Sequence, residues 1–175
     1  MKQRAIFLDR DGVINKDLKY LYKIEDFIFI NGIFKVCQHL QNLDYKIFIV
    51  TNQSGISRGY YTQSDYQILS DWMISEFSKN SVTILDIFHC PHLPNSNCDC
   101  RKPNPGMLIE AKYKHNIDMQ NSWMIGDKES DVQAAISSGI ANTILLESGH
   151  KINKAESQAK YIISSIEQTN QIIIN

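Results

Sequence analysis

Two aspartates one residue apart, Asp9 and Asp11, followed at once by Gly12, are the residues of this 175-residue chain most suited to chemistry. Carboxylates this close repel one another, so one takes up a proton or a cation sits between them. Mg²⁺ fits such a position because it accepts one or two carboxylates, several waters and a substrate phosphate. A carboxylate can also attack phosphorus and carry an aspartyl-phosphate. A second carboxylate that holds a proton can protonate the leaving oxygen and later activate water. Gly12 lets the backbone turn closely around a phosphate. Asp-Arg-Asp-Gly is equally an ordinary polar turn, so these residues alone leave both readings open.

Similar clusters recur further along. Lys46 to Val50 is an apolar run that ends in Thr51-Asn52-Gln53-Ser54-Gly55. Thr51 or Ser54 can hydrogen-bond a phosphoryl oxygen, and Asn52 and Gln53 can reach sugar hydroxyls; a plain Ser/Asn/Gly loop is the alternative. Arg58 follows. Ser122 to Ile125 is another apolar run, ending in Gly126-Asp127-Lys128-Glu129-Ser130-Asp131. Asp127 can complete a Mg²⁺ shell. Asp131, one helical turn on, can support that shell or cap the following helix. Between Asn15 and Tyr22 a loop offers Asp17, Lys19 and Tyr20 to a ligand.

A different chemistry is concentrated between residues 90 and 100. Cys90-Pro91-His92 and Cys98-Asp99-Cys100 supply three thiolates and one imidazole, the ligand count and softness of a closed tetrahedral Zn²⁺ site. With four protein ligands no position is left for water, so such a zinc is structural. His89 would point to the other face of its strand and is the weaker ligand. Arg101 and Lys102 follow the last cysteine and precede Pro103-Asn104-Pro105-Gly106, where a helix can start. Two cations at that point make an anion site aimed by the zinc loop.

The elements that must position these groups are legible as periodicities. Ala5 to Leu8, Lys46 to Val50 and Ser122 to Ile125 lack polar alternation and read as strands buried on both faces. Ile84 to His89, Thr143 to Leu146 and Tyr161 to Ile163 complete a set of six. Helical spacing runs from Gly32 to Leu43, with Cys37 as an inert thiol on the apolar face. It runs again from the N-cap Thr62 to about Lys79, through Tyr66, Leu69, Met73 and Phe77, and from Pro105 to about Lys114. His39 and His115 read as surface or cap residues. A closing helix starts at Ser164 or Ser165, and Gly149 to Gln158 is a polar loop. Strands alternating with helices imply a parallel sheet with helices on both faces. The polar clusters then share the carboxyl edge of that sheet, where ligands bind in open α/β folds. Asp9, Asp11, Thr51, Lys102 and Asp127 there form a nucleophile, an acid/base, a hydroxyl, a cation and a metal carboxylate, a set suited to phosphoryl transfer.

Composition is consistent with one domain over residues 1–175: 43% of residues are hydrophobic and 21% charged. The formal net charge of -1 provides no basic field for nucleic acid or an anionic membrane. There is no signal-peptide h-region and no apolar stretch of membrane-spanning length, so a cytoplasmic monomer is the expectation. In a reducing compartment, clustered cysteines suggest metal rather than disulfides.

Asp9-Arg-Asp-Gly-Val, Val-Thr51-Asn, Lys102-Pro and Gly-Asp127-Lys-Glu-Ser-Asp131 resemble the four motifs of the haloacid dehalogenase-like phosphatases. Thr51-Asn-Gln-Ser-Gly-Ile, Cys90-Pro-His, Cys98-Asp-Cys-Arg-Lys-Pro and Met124-Ile-Gly-Asp-Lys resemble, more closely, the D-glycero-D-manno-heptose 1,7-bisphosphate 7-phosphatases. The similarity runs from about Lys2 to Gly149. It implies a three-layer α/β/α Rossmann-like phosphatase without a large cap domain, using Mg²⁺ and a structural Zn²⁺. Its product would feed nucleotide-activated heptose for lipopolysaccharide or other glycans. The resemblance implies Asp9 as nucleophile and Asp11 as acid/base, with Thr51 and Lys102 on the transferring phosphoryl group. Asp9, Asp127 and the backbone carbonyl of Asp11 would hold Mg²⁺, and Arg101, helped by Lys128, would recognise substrate. Two departures stand out: Val13 occupies a position where many relatives have Thr, and the loop from His92 to Cys98 is short. Short loops also occur in histidinol-phosphate phosphatases, the rival substrate class. A non-catalytic zinc-bearing module is the rival of another kind, but it has little use for this carboxylate set.

Overall fold

The computed structural model describes residues 2–148 and 150–174; Gly149, at the end of the family resemblance and the start of the expected polar loop, lies outside them. Six strands form one parallel sheet: β1 (Ala5–Leu8), β2 (Lys46–Asn52), β3 (Ile84–Cys90), β4 (Trp123–Gly126), β5 (Asn142–Leu146) and β6 (Tyr161–Ile163). Their order is β3-β2-β1-β4-β5-β6, with every neighbouring pair parallel. The main helices are α1 (Ile33–Asn42), α2 (Gln63–Lys79), α3 (Gly106–His115) and α4 (Glu129–Ser138), and a four-residue α5 (Thr169–Ile172) closes the chain after a short 3-10 turn at Ile166–Gln168. Among the described residues no separate cap domain is inserted between these elements.

The central strands are apolar throughout because both faces are covered. Ile6 and Leu8 of β1 join one core with Ile33, Val36, Cys37 and Leu40 of α1 and Leu69, Met73 and Phe77 of α2. Ala5 and Phe7 face the opposite core, with Met107, Leu108 and Ala111 of α3 and Ala134 and Ala135 of α4. The chain therefore winds β1-α1-β2-α2-β3 along one face, then crosses to the other for α3 and α4. The order reverses between β1 and β4, and the crevice beyond their carboxyl ends is where such sheets bind ligands. Thr62 caps α2, with its hydroxyl and the Asp65 carboxylate each accepting from the other's backbone N–H, a device worth about 1 kcal/mol.

Several boundaries differ from the sequence reading. β2 continues through Thr51 and Asn52, because the adjacent β3 extends to Cys90 and pairs with both; these two residues are strand, not loop. β4 starts at Trp123, with Ser122 instead donating to the Asp118 carbonyl at 2.6 Å. The two histidines read as surface or cap residues both have partners. His115 lies 5.0 Å from the Phe48 ring and 2.8 Å from Asp86 Oδ2. His39 Nε2 lies 3.1 Å from the Ile173 carbonyl. Cys37 is buried as expected, and burial pushes its thiol up to about 12. No helix among the described residues is long and apolar enough to cross a membrane.

Candidate active site

Each strand end delivers one part of the site. Asp9 leaves β1 with its backbone N–H donating to the Ile125 carbonyl of β4 at 3.0 Å, so the ladder itself fixes its position. Thr51 is the penultimate residue of β2, and Asp127 follows β4 directly. Gly12 has φ +94°, and a Cβ there would come within 2.3 Å of Asp127 Oδ2. Only a glycine lets the first loop close over the second carboxylate.

Lys102 binds the set together. Its ammonium lies 2.9 Å from Asp9 Oδ1 and 2.7 Å from Asp131 Oδ1, and it donates to the Val50 carbonyl at 2.7 Å. The residue is 4% exposed. Its pKa is raised despite burial, because the Asp131 and Asp9 charges hold the proton on. Asp131 spends its other oxygen on the backbone N–H groups of Asp127 and Lys128, at 3.2 and 3.1 Å. It thus supports the shell and caps α4 at once. Asn52 grips Lys102 from the other side: its amide accepts from the Lys102 N–H and donates to the Lys102 carbonyl, both at 3.1 Å. Asn52, expected to reach a sugar, is engaged in holding Lys102.

One cation explains the remaining imbalance. Both carboxylate oxygens of Asp127 are buried without a hydrogen-bond partner. Burial first, then the Asp9 charge, pushes the Asp127 carboxyl up to about 8; burial also raises Asp9 to about 6 against the pull of Lys102. Oxygens of Asp9, Asp127 and Asp131 lie within 4.8 Å of one another. A buried, oxygen-only cluster in which neither Asp127 oxygen is hydrogen-bonded, although Oδ2 is approached by the His150 imidazole at 3.2 Å and the Lys128 ammonium at 3.8 Å, fits a hard divalent cation such as Mg²⁺.

Asp11 is held quite differently. Arg10, 2% exposed, pairs with it at 2.9 Å. Asn15 donates to its Oδ1 at 3.0 Å, and Gln53 donates to its Oδ2 at 3.0 Å. Gln53 also donates to the Thr51 hydroxyl at 2.8 Å and accepts from Tyr61 at 2.5 Å. Gln53, too, is committed within the protein and has no free amide for a sugar.

A cavity of about 610 Å³ opens above these groups. Asp9, Asp11, Thr51, Lys102, Asp17, Lys19, Tyr20, Asn52, Gln53, Ser54, Arg101 and Lys128 all line it. Asp127 sits 1% exposed behind that wall. Arg58 does not line it; its guanidinium lies over the Tyr20 ring at 5.7 Å, outside the cavity. Asp17 Oδ2 receives Lys128 at 3.2 Å and His150 at 3.1 Å. His150 also lies 3.2 Å from Asp127 Oδ2. His150, Tyr61 and Ser130 line the cavity without having been singled out from the sequence. His150 follows β5 at the sheet's carboxyl edge, so the strand-end rule applied to the fifth strand would have found it. Nothing in the spacing marks Tyr61.

The cysteine loop has its own geometry. Cys90 Sγ lies 3.8 Å from Cys98 Sγ and 3.5 Å from His92 Nδ1, which is 3.2 Å from Cys100 Sγ. A tetrahedral zinc with bonds of about 2.0–2.3 Å has ligand–ligand edges of about 3.3–3.8 Å, so the four groups fit that ion. Burial and the neighbouring Cys90 and Cys98 sulfurs push the Cys100 thiol up to about 12. Bringing all three sulfurs to thiolate needs a cation among them. His89 is excluded from this cluster and meets Gln63 and Tyr66 instead. Arg101, next in the chain, donates to the His92 carbonyl at 3.2 Å and lines the cavity.

Comparison with known proteins agrees with this geometry. A HAD-hydrolase-like family model matches residues 99–169. The chain is 52% identical to a D-glycero-alpha-D-manno-heptose-1,7-bisphosphate 7-phosphatase of Campylobacter jejuni, over 86% of this chain and 87% of that protein. It is 39% identical to a D-glycero-beta-D-manno-heptose-1,7-bisphosphate 7-phosphatase of Escherichia coli, over 97% and 93%. The crystal structure of a D,D-heptose 1,7-bisphosphate phosphatase from B. bronchiseptica, complexed with magnesium and phosphate, superposes with a TM-score of 0.84 and 28% identity, covering 97% of each chain. The chain belongs to the heptose-1,7-bisphosphate 7-phosphatase family of haloacid dehalogenase-like hydrolases.

Proposed function

We propose that the chain is a Mg²⁺-dependent phosphatase that hydrolyses the C7 phosphate of D-glycero-D-manno-heptose 1,7-bisphosphate, leaving heptose 1-phosphate for nucleotide-activated heptose synthesis. The observation that carries this reading is a single cavity lined by Asp9, Thr51 and Lys102 together with Arg101 and Lys128. The first three suit a reacting phosphoryl group, and the last two suit a second anion beyond it.

In this reading Asp9 attacks phosphorus and the bond to the sugar oxygen breaks. Asp11 gives that oxygen a proton, then takes one from the water that cleaves the aspartyl-phosphate. Thr51 and Lys102 bind phosphoryl oxygens. Asp9, Asp127 and the Asp11 carbonyl would hold Mg²⁺, which when bound neutralises charge on the transferring group. Cys90, His92, Cys98 and Cys100 would hold a structural Zn²⁺ whose role is to fix the stretch carrying Arg101. All six strands belong to one continuous sheet, which supports a single domain. Thiols kept free for metal suit the cytoplasm.

Two α-anomer relatives share 52% and 44% identity with the chain, against 39–42% for the β-anomer relatives, which favours the α bisphosphate. Histidinol phosphate is the rival substrate, but its amine would want a free carboxylate, and Asp17 at the cavity wall is already paired with Lys128 and His150. The test is side-by-side turnover of both anomers and histidinol phosphate with Mg²⁺. The α bisphosphate is expected to give the highest kcat/KM. Preference for histidinol phosphate would overturn the substrate and leave the phosphatase reaction in place.

A further inference from the structure

Asp11 accepts from Arg10 on both oxygens, from Asn15 on Oδ1 and from Gln53 on Oδ2, and of these donors the Gln53 amide is the one on the cavity side. Gln53 is 2% exposed, with its NH₂ group between Asp11 Oδ2 and the Thr51 hydroxyl, at 3.0 and 2.8 Å. An amide can be turned by half a rotation at little steric cost, which here would aim its carbonyl oxygen at Asp11 Oδ2, where it would accept the proton of the acid instead of leaving it for the sugar oxygen. The only group opposing that turn from the far side is the Tyr61 hydroxyl, 2.5 Å from Oε1 among the described hydrogen bonds. Tyr61 is 5% exposed, and burial pushes its phenol up to about 12, so the proton stays on oxygen and donates. Its ring is fixed as well. It stacks on Tyr22 at 5.4 Å, and it occupies the space a Cβ on Gly55 would fill, 2.1 Å from Tyr61 Cε1.

We propose that Tyr61 is a positioning residue for proton transfer: through Gln53 it orients Asp11 toward the leaving oxygen of the substrate. This rests on Asp11 being the general acid of the proposed phosphatase reaction. In that step the phosphorus–oxygen bond to the sugar breaks, the electron pair goes to the sugar oxygen, and the proton comes from Asp11, which becomes a carboxylate. An alkoxide needs that proton to leave; a nitrophenolate does not. Loss of Asp11 orientation therefore weighs on alkyl phosphates selectively, whereas a loosened pocket or a displaced Thr51 weighs on every phosphate ester equally.

The test uses Tyr61→Phe, which removes one oxygen and keeps the ring. It compares kcat/KM, which covers steps only through departure of the leaving group, for heptose 1,7-bisphosphate and p-nitrophenyl phosphate in the Mg²⁺-loaded enzyme. The ratio of the two is expected to move about tenfold against the bisphosphate, a fraction of the 10²–10⁴ that general acid catalysis supplies. Gln53→Ala should move the ratio the same way by at least as much. An unchanged ratio, whether both activities fall together or neither falls, overturns the role of Tyr61. If wild-type enzyme cleaves the aryl ester but not the heptose bisphosphate, the substrate reading fails instead, and glycerol phosphate takes its place as the alkyl ester in the same ratio.

Discussion

Asp9 and Asp127 stand directly after strands that are packed on both faces, whereas His92, Cys98 and Cys100 lie on a stretch with neither strand nor helix. The carboxylates are buried to 6% and 1% exposure; His92 is exposed and two of the three sulfurs are half-buried. The sheet holds the first set in place whether or not a cation is present, and the cost appears as carboxyl pKa values raised to about 6 and 8. Cys90 of the second set is anchored in β3, and Cys98 and Cys100 pack against the core beneath them, but the stretch from His92 to Cys100 is otherwise tied by single hydrogen bonds such as Asn104 to the Cys98 carbonyl at 2.8 Å and the Gly106 N–H to the Asp99 carbonyl at 2.9 Å. In the proposed reading one region is a rigid frame that would need its ion for chemistry, and the other would need its ion for shape. The two ions should therefore fail in different ways when removed.

The largest effect is expected at the rigid frame. Asp9→Asn keeps the volume and the strand but cannot form an acyl phosphate, so turnover should fall by at least about 10³-fold with an unchanged far-ultraviolet spectrum. Near-normal turnover would remove the covalent route. Arg101→Ala should weaken use of the bisphosphate by about 1.5–3 kcal/mol, the worth of hydrogen bonds to a charged group, and a small monophosphate much less. Equal losses on both would move Arg101 onto the reacting phosphate. Cys98→Ser tests the loop. Zinc content by elemental analysis should drop below one per chain, and kcat/KM for the bisphosphate should fall about 10–100-fold, the range for groups that aim others. Metal-free protein with full activity would dissolve the contrast between the two regions.

A smaller effect sharpens the electrostatic half of the comparison. Asp9 and Asp127 have raised pKa values in the folded metal-free chain, so between about pH 4 and 8 the folded state binds more protons than the unfolded one. Stability is then greatest at the low end of that window and falls as pH rises through it. Binding Mg²⁺ removes the repulsion, so the rise in Tm on adding Mg²⁺ should be larger at pH 8 than at pH 5.5. A Mg²⁺ effect independent of pH would contradict that assignment of the buried charge.

The same contrast explains what was legible in the sequence. β1 and α1 follow from apolar periodicity alone, and Asp9, Thr51 and Asp127 follow from standing where apolar runs end. The clustering of Cys90, His92, Cys98 and Cys100 is legible because few uses other than metal gather three thiols and an imidazole in eleven residues. What stayed hidden are the partners of side chains. Asn52 and Gln53 have the right chemistry to meet a sugar, but the loops after the neighbouring strands β3 and β1 bring Lys102 and Asp11 to them instead. Arg58 belongs to the right loop, but its guanidinium lies over the Tyr20 ring instead of the cavity. Tyr61 comes to the cavity from the turn before α2, which no pattern marks, whereas His150 lies beyond the end of β5, where the strand-end rule could have found it. Periodicity reports which face a residue takes, not which neighbour three-dimensional packing brings to it.

The division of labour between the two regions is tested most directly by following heptose 1,7-bisphosphate turnover by phosphorus NMR. If Asp9, Thr51 and Lys102 take the reacting phosphate while Arg101 and Lys128 hold the other, the C7 ester signal should convert to inorganic phosphate and the anomeric C1 phosphate should persist. Loss of the C1 signal first, or release of both phosphates at similar rates, would contradict the account.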